Sequence, residues 1–275
     1  MSEIFKPLIA LGPQKESPSI SLSELYHENT KLHPLTAKTL APSTDFSPSE
    51  KQAMTRAFKQ YPLAKKIPLP PIKNIPENPK TFDNVIASRR TVRTFNDAPL
   101  TQEEFSTILY QSYGITGELS LPGGGTQKWR ASPSGGALYP AEIYLGIRRV
   151  DQIDPGIYHY NVQDHALELL TEGDLTEEFY QVCCDQEYVK RAAVIFFISG
   201  VFQRTKRKYS ERGYRYVLLD VGHLGQNIYL SSTSLDLAIM TTCGFFDDPT
   251  NELLRLDGID ESVLYVAFVG QKETL

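Results

Sequence analysis

Proline placement limits this chain more than any other feature. Pro13, Pro18, Pro34, Pro42 and Pro48 punctuate the first fifty residues, and six more stand between Pro62 and Pro79. A ring-locked φ and a missing N–H keep long helices and central strands out of such a stretch. Residues 1 to 80 are therefore predicted to be an arm wrapping a core rather than a second core, with the folded domain over 81–275. One helix suits the arm. Ser47-Pro48-Ser49-Glu50 reads as a cap, a proline in the first turn and a capping-box Glu, heading a segment that runs to Gln60.

Beyond Thr81 the pattern becomes periodic. Residues 83–89 read as a helix start, with Val85 and Ile86 facing inward. Residues 100–114 form a clearer helix. Thr101 and Glu104 make a capping box, Leu100 and Phe105 a hydrophobic staple, and Phe105, Ile108, Leu109 and Tyr113 share one face that Gly114 ends. The Gly- and Pro-rich residues 115–134 read as loop. Alternation marks a strand over 142–149, and 157–160 with 166–170 read as a hairpin around 161–165. Residues 175–184 are helical, and the short apolar run 193–200 suits a buried central strand. A long helix covers 216–232, followed by strands at 238–242 and 263–269. With no internal repeat, the mixture argues α+β around one continuous core. Gly222, Gly225, Ser231 and Ser232 keep one side of the long helix small. They serve either tight packing within the monomer or helix pairing across a dimer.

Composition excludes several classes of function. A net charge of −5 and a pI near 5.6 oppose bulk nucleic-acid binding, which needs basic patches. No stretch approaches the roughly 20 apolar residues of a membrane span, and residues 1–11 lack the pattern of a secretory signal, so a cytoplasmic protein is expected. Cys183, Cys184 and Cys243 are odd in number and make neither a disulfide framework nor a zinc spacing. Five scattered histidines complete the argument for no metal.

Four constellations carry chemistry. Ser88-Arg89-Arg90-Thr91-Val92-Arg93 sets three guanidiniums and two hydroxyls at a helix end. Arginine forks fit phosphate oxygens bidentately, although composition alone reads this run as a solvated basic turn. In Ser132-Pro133-Ser134-Gly135-Gly136-Ala137-Leu138-Tyr139-Pro140, two glycines let backbone N–H groups approach a flat ligand without a Cβ in the way. Lys208-Tyr209-Ser210-Glu211-Arg212-Gly213-Tyr214-Arg215-Tyr216 belongs to a locally basic segment that also includes Arg204, Lys206 and Arg207. By charge it is an ordinary solvated loop. Last come Cys243-Gly244-Phe245-Phe246-Asp247-Asp248 and Lys272. No rival cofactor site competes. Gly-x-Gly-x-x-Gly and the P-loop are both missing, and Gly123-Gly124-Gly125 lacks the Lys-Ser/Thr that a P-loop requires.

Taken together these strings resemble nitroreductase-like FMN oxidoreductases, and within them the SagB-type azoline dehydrogenases. The first run looks like the Arg-Arg-Ser-x-Arg-x-Phe signature, with Thr91 in place of Ser. The second is close to Pro-Ser-Ala-Gly-Ala-Leu-Tyr-Pro of SagB-type proteins, with Gly135 where Ala is usual. Tyr26-His27-Glu28-Asn29-Thr30-Lys31 looks like their N-terminal element. The resemblance covers most of the chain and is densest from Ser88 to Gly270. It implies a nitroreductase-like α+β fold, with a mostly antiparallel sheet flanked by helices and FMN at a homodimer interface. It gives Arg89, Arg90, Thr91, Arg93 and Lys272 to the FMN phosphate and ribityl chain. Pro133, Ser134, Gly135, Gly136 and Gly244 fall near the flavin, and Lys208 and Tyr209 become the catalytic pair. The implied reaction oxidises a peptide thiazoline or oxazoline to the azole, one ring carbon losing a proton to a base while its neighbour passes hydride to flavin N5. The implied partners are a precursor peptide and a cyclodehydratase complex. A plain NAD(P)H-dependent nitro- or quinone reductase, and a non-catalytic flavin-binding subunit of a modification complex, are the alternatives.

Overall fold

The computed structural model describes residues 21–34, 46–55, 58–71, 80–121 and 125–273. Residues 1–11, Gly123 and Gly124 lie outside them. Contacts divide the chain into two compact units, Met1–Ala41 and Pro42–Leu275. The first contributes helix α1 (Leu22–Asn29), opened by a Ser21/Glu24 capping box.

The second unit begins with helix α2 (Pro48–Met54). Its Ser47/Glu50 capping box and first-turn proline match the sequence reading, but the helix stops at Met54 rather than Gln60. Strand β1 (Lys66–Pro68) then pairs with β6 (Ala166–Glu172) at the edge of the main sheet. An edge strand tolerates Pro68, whose nitrogen has no hydrogen to donate. Helix α3 (Phe82–Ser88) buries Val85 but leaves Ile86 exposed, correcting the expectation that both face inward. Successive helical side chains diverge by about 100°, and only one of the two meets the core.

Helix α4 (Gln102–Tyr113) forms as the sequence dictates. The Thr101/Glu104 capping box is present, Phe105, Ile108, Leu109 and Tyr113 are buried, and Gly114 ends it. Residues 115–134 are not simply loop. Strands β2 (Ile115–Ser120) and β3 (Thr126–Arg130) make an antiparallel hairpin, a two-stranded sheet of their own. β2 is mostly exposed and the half-buried β3 is mostly polar, so they lack the apolar alternation that announces a half-buried strand.

The main sheet also holds β4 (Ala141–Ile147), β5 (Gly156–Asn161), β7 (Val194–Val201), β8 (Ala238–Thr242) and β9 (Glu261–Gly270). Its order is β1-β6-β5-β4-β7-β9-β8, and every neighbouring pair is antiparallel. Helix α5 (Thr176–Val182), helix α6 (Phe202–Tyr209), the 22-residue helix α7 (Gly213–Ser234) and helix α8 (Asp247–Leu253) complete the fold.

Both faces of the sheet are covered, which explains the unbroken apolar run of β7. Phe196 and Ile198 join the cluster containing Phe105 of α4 and Val221, Leu224 and Ile228 of α7. Ile195 and Phe197 point the other way, into the cluster containing Phe179 of α5 and Leu254. A strand alternates its side chains between faces, so two cores demand apolar residues at every position. Each fully buried Phe, Leu or Ile contributes about 1.5–3 kcal/mol. Helix α7 lies close to the sheet because Gly225 has no side chain. A Cβ there would fall 2.5 Å from the Tyr265 ring. Packing inside the chain therefore accounts for Gly225. Gly222 is exposed, and a Cβ there would meet nothing within 4 Å.

Candidate active site

The Ser-Gly-Gly string forms a strained turn between β3 and β4. Gly136, Ala137 and Tyr139 all have positive φ (70°, 54° and 44°). Non-glycine residues in that region cost on the order of 1–3 kcal/mol each and persist only where surroundings hold them. Ser134 supplies much of that hold. Its Oγ accepts the Tyr139 N–H (2.8 Å) and donates to Oδ2 of Asp220 (2.6 Å), a buried carboxylate on α7. Gly135 N–H points at the other carboxylate oxygen (3.4 Å). Burial pushes the Asp220 carboxyl above its ordinary value, against the opposing pull of those two donors.

Lys208 and Tyr209 end helix α6, correcting the basic-loop expectation. They converge on this turn. A Cβ at Gly136 would lie 2.6 Å from Tyr209 Oη and 2.9 Å from Lys208 Nζ. Glycine takes the left-handed φ without strain and leaves the space that an amine and a phenol occupy. Tyr209 stacks edge-on against Tyr216 (centroids 4.6 Å apart), and Tyr216 lies under Gly135. Burial raises the Tyr209 phenol pKa, and Tyr216 and Asp220 add to the rise.

One turn upstream of Lys208, Arg204 anchors α6 to β4. It donates to the Tyr139 carbonyl (3.1 Å) and to Glu142 Oε1 (2.5 Å). Behind it, the fully buried His159 bridges Glu142 Oε2 (3.0 Å) and Glu168 Oε2 (2.9 Å). Burial alone would depress the His159 imidazolium, but hydrogen bonds to two carboxylates raise its pKa instead. Glu142 is likewise held below the ordinary carboxylate range: burial opposes ionisation, and Arg204 and His159 outweigh it. Glu168 lies below that range too, through His159, Asn161 and the Tyr61 N–H, again against its burial.

The arginine run lies on the opposite flank of α7. Arg89 stacks over the Tyr229 ring (5.2 Å), and Thr91 Oγ1 meets Tyr229 Oη (2.9 Å). Arg90 and Arg93 are exposed. Arg90 also donates to the Ala87 and Arg89 carbonyls. The nearby Asp97 pairs with Arg149 and Arg191 instead, and no ion pair engages Arg89, Arg90 or Arg93 among the described residues. Lys272 joins this flank. Its backbone bridges Phe95, its ammonium lies 3.6 Å from Asp236, and it borders a cavity of about 520 Å3 with Ser88, Asn84 and Lys80. Between α7 and β9 runs a groove of about 400 Å3, walled by Val221, Gly222, Tyr229, Cys243, Leu264 and Tyr265. Gly244 sits exposed just beyond, its N–H on Thr242 Oγ1 (2.8 Å).

The predicted residues therefore fall into two sets. Ser134, Gly135, Gly136, Lys208 and Tyr209 meet at one site, with exposed Pro133 at its rim. Arg89 and Thr91 meet at Tyr229, Lys272 shares a separate cavity with Ser88, Arg93 acts on Tyr188, and Gly244 lies at the groove's end. Asp220 and Tyr229, which tie the two sets to α7, are nine residues apart. That spacing puts them on opposite sides of an ideal helix and roughly 13 Å apart along it. Tyr216, Tyr229, Asp220 and Arg204 were not singled out as site residues by sequence. Arg204 reaches Glu142 and Tyr139 62 and 65 positions upstream, Asp220 reaches Ser134 86 upstream and Tyr229 reaches Thr91 138 upstream, relations that only folding reveals. Among the described residues no group of His, Cys, Asp or Glu could hold a metal ion, and no helix is long and apolar enough to cross a membrane.

Residues 86–271 match the nitroreductase family. The chain belongs to this family of oxidoreductases. It is 34% identical over 206 residues to the nitroreductase-family protein MJ1384 of Methanocaldococcus jannaschii, covering 75% of this chain and 96% of that one. It is 29% identical over 147 residues to the microcin B17-processing protein McbC of Escherichia coli, covering 51% of this chain and 54% of that one. A nitroreductase-family structure from Anabaena variabilis superposes with a TM-score of 0.73 at 28% identity, over 91% of this chain and 46% of that one. The E. coli microcin synthetase McbBCD complex with truncated pro-MccB17 bound superposes with a TM-score of 0.58 at 22% identity, over 91% of this chain and 87% of that one, a likeness of fold. The chain thus spans about half the length of McbC and of the Anabaena chain.

Proposed function

We propose that this oxidoreductase is an FMN-dependent dehydrogenase that converts thiazoline or oxazoline rings of a peptide to thiazole or oxazole during natural-product maturation. The observation that carries the reading is the convergence of Lys208 Nζ and Tyr209 Oη on the left-handed Gly136. An amine and a phenol at one opening suit proton removal from a ring carbon, with one group accepting the proton and the other orienting the ring. Similarity to McbC supports a peptide substrate, and a cyclodehydratase complex is the proposed partner.

The residues present fit FMN. Three guanidiniums without a carboxylate partner among the described residues, with Lys272 alongside, would hold the phosphate and ribityl chain. The groove beside Gly222 and Gly244, and the Pro133–Gly136 turn, would take the ring system. Because the two sets sit on opposite flanks of α7, we propose that two copies of the chain complete each site. The exposed Leu218, Leu219 and Gly222 of α7 provide the contact surface. Bound FMN would supply the two-electron acceptor, with molecular oxygen as terminal oxidant.

The purified protein should be yellow, release FMN rather than FAD, and sediment as a dimer at micromolar concentration. A colourless monomer that takes up no FMN in titration overturns the proposal. Similarity to MJ1384 over nearly its whole length favours a second reading, a nicotinamide-dependent nitro- or quinone reductase. Rapid flavin reduction by NAD(P)H together with inert azoline peptides would select it.

A further inference from the structure

We propose that Asp220 is the positioning residue of this site: its carboxylate fixes the Ser134–Gly136 turn and thereby sets where Lys208 and Tyr209 meet. The inference rests on the dehydrogenase reading for its consequence in catalysis, but not for its geometry.

The carboxylate is buried on α7 and holds the turn at adjacent residues. Oδ2 accepts from Ser134 Oγ (2.6 Å), and Oδ1 faces the Gly135 N–H (3.4 Å). With its proton committed to Asp220, the Ser134 hydroxyl presents a lone pair to the Tyr139 N–H (2.8 Å). The Ser134 carbonyl takes the Ala137 N–H (3.0 Å). Every polar group of Ser134 named here is thus orientated by, or closes, the turn. Between those closures stand Gly136 and Ala137 in left-handed backbone, a conformation that relaxes once its restraints go. The far side of Gly136 is the surface against which Lys208 Nζ and Tyr209 Oη rest. Tyr216, one helical turn before Asp220, packs under Gly135 and against the Tyr209 ring. One face of α7 therefore carries both the anchor of the turn and the backing of the phenol. No described hydrogen bond or ion pair links Asp220 to Lys208 or Tyr209, so its hold on their position passes through the turn, while its charge acts on the Tyr209 phenol through space.

The test compares wild type with Asp220→Ala and Ser134→Ala as FMN-loaded protein. Lys208 acetylation by a limiting amine-reactive reagent is followed by mass spectrometry, with Lys31 and Lys66 as internal references. Release of the turn should raise the Lys208 rate at least about threefold in both variants while the reference lysines keep theirs. On an azoline peptide, kcat should fall roughly 10- to 100-fold, the cost of a misplaced reacting group, with KM changed less than about threefold. The double variant should lose less than the sum of the two single losses, because both break the Ser134–Asp220 linkage. Because the same turn takes the ring system, all rates are measured at saturating FMN with occupancy read from flavin absorbance. An unchanged Lys208 rate in both variants overturns the proposal. So does a kcat loss that only tracks loss of FMN or of fold. If Asp220→Ala does not fold, Ser134→Ala alone decides by the same criteria. If wild type is inactive on azolines, the dehydrogenase reading falls, and the Lys208 rate still decides whether Asp220 sets the geometry.

Discussion

Replacing His159 with leucine isolates the buried charge network behind α6. In the native chain the imidazole is fully buried and meets two carboxylates that are themselves only 1–2% exposed. Leucine keeps the volume but leaves Glu142 and Glu168 facing an apolar side chain. Glu142 keeps Arg204, and Glu168 keeps Asn161 and the Tyr61 N–H, so the loss is partial. Two charge-assisted hydrogen bonds at about 1.5–3 kcal/mol each sum to about 3–6 kcal/mol, and one buried ion pair broken from one side costs about 3–5 kcal/mol. For a chain of this size that lowers the melting midpoint by roughly 10 °C. The effect depends on pH in a defined direction. His159 has a folded-state pKa above its ordinary 6.5, so its contribution is complete below that value and is lost as pH rises through the folded value. Glu142 and Glu168 have folded-state pKa values below the ordinary 4.5, so theirs is complete above 4.5 and is lost as pH falls through the folded values. The gap between wild type and His159→Leu should therefore be widest between about pH 4.5 and 6.5 and shrink on either side. Thermal unfolding followed by circular dichroism at pH 5.5 and pH 9 measures it. Midpoints within 2 °C of each other at pH 5.5, or a gap that widens at pH 9, would refute the charged-bridge assignment.

Arg89→Ala and Arg93→Ala should each weaken FMN binding by about 1.5–3 kcal/mol with the fold retained, read by fluorescence titration; unchanged affinity in both returns the run to a solvated turn. Gly225→Ala should destabilise by about 1–3 kcal/mol, because the added methyl meets the Tyr265 ring, whereas the exposed Gly222→Ala should change monomer stability by less than about 0.5 kcal/mol. Equal denaturation midpoints for the two would contradict the packing account.

Local signals were legible and long-range ones were not. The Thr101/Glu104 box and the Phe105, Ile108, Leu109, Tyr113 stripe defined α4 because caps and helical faces are written within a dozen residues. The run at 193–200 declared a strand buried on both sides for the same reason. The β2–β3 hairpin escaped because its strands carry no apolar period, so only pairing across the turn defines them. Helix α6 escaped because half of its residues are cationic. The contacts that place it, Arg204 on Glu142 and on the Tyr139 carbonyl, span more than sixty residues. The motif strings named Lys208, Tyr209 and Gly136 separately, and folding joined them. Asp220 has nothing local to mark it, since its partner Ser134 lies 86 positions upstream.

The dehydrogenase reading rests on chemistry at Lys208 and Tyr209, and mass spectrometry of an azoline peptide tests it most directly. Wild type, presented with the peptide and its cyclodehydratase, should remove two hydrogens per ring. Lys208→Ala and Tyr209→Phe should keep flavin colour and lose that activity by about 100-fold or more, the range for a positioned acid or base. The account is contradicted if wild type leaves the peptide mass unchanged across varied azolines while all three proteins oxidise NAD(P)H with a nitroarene equally well.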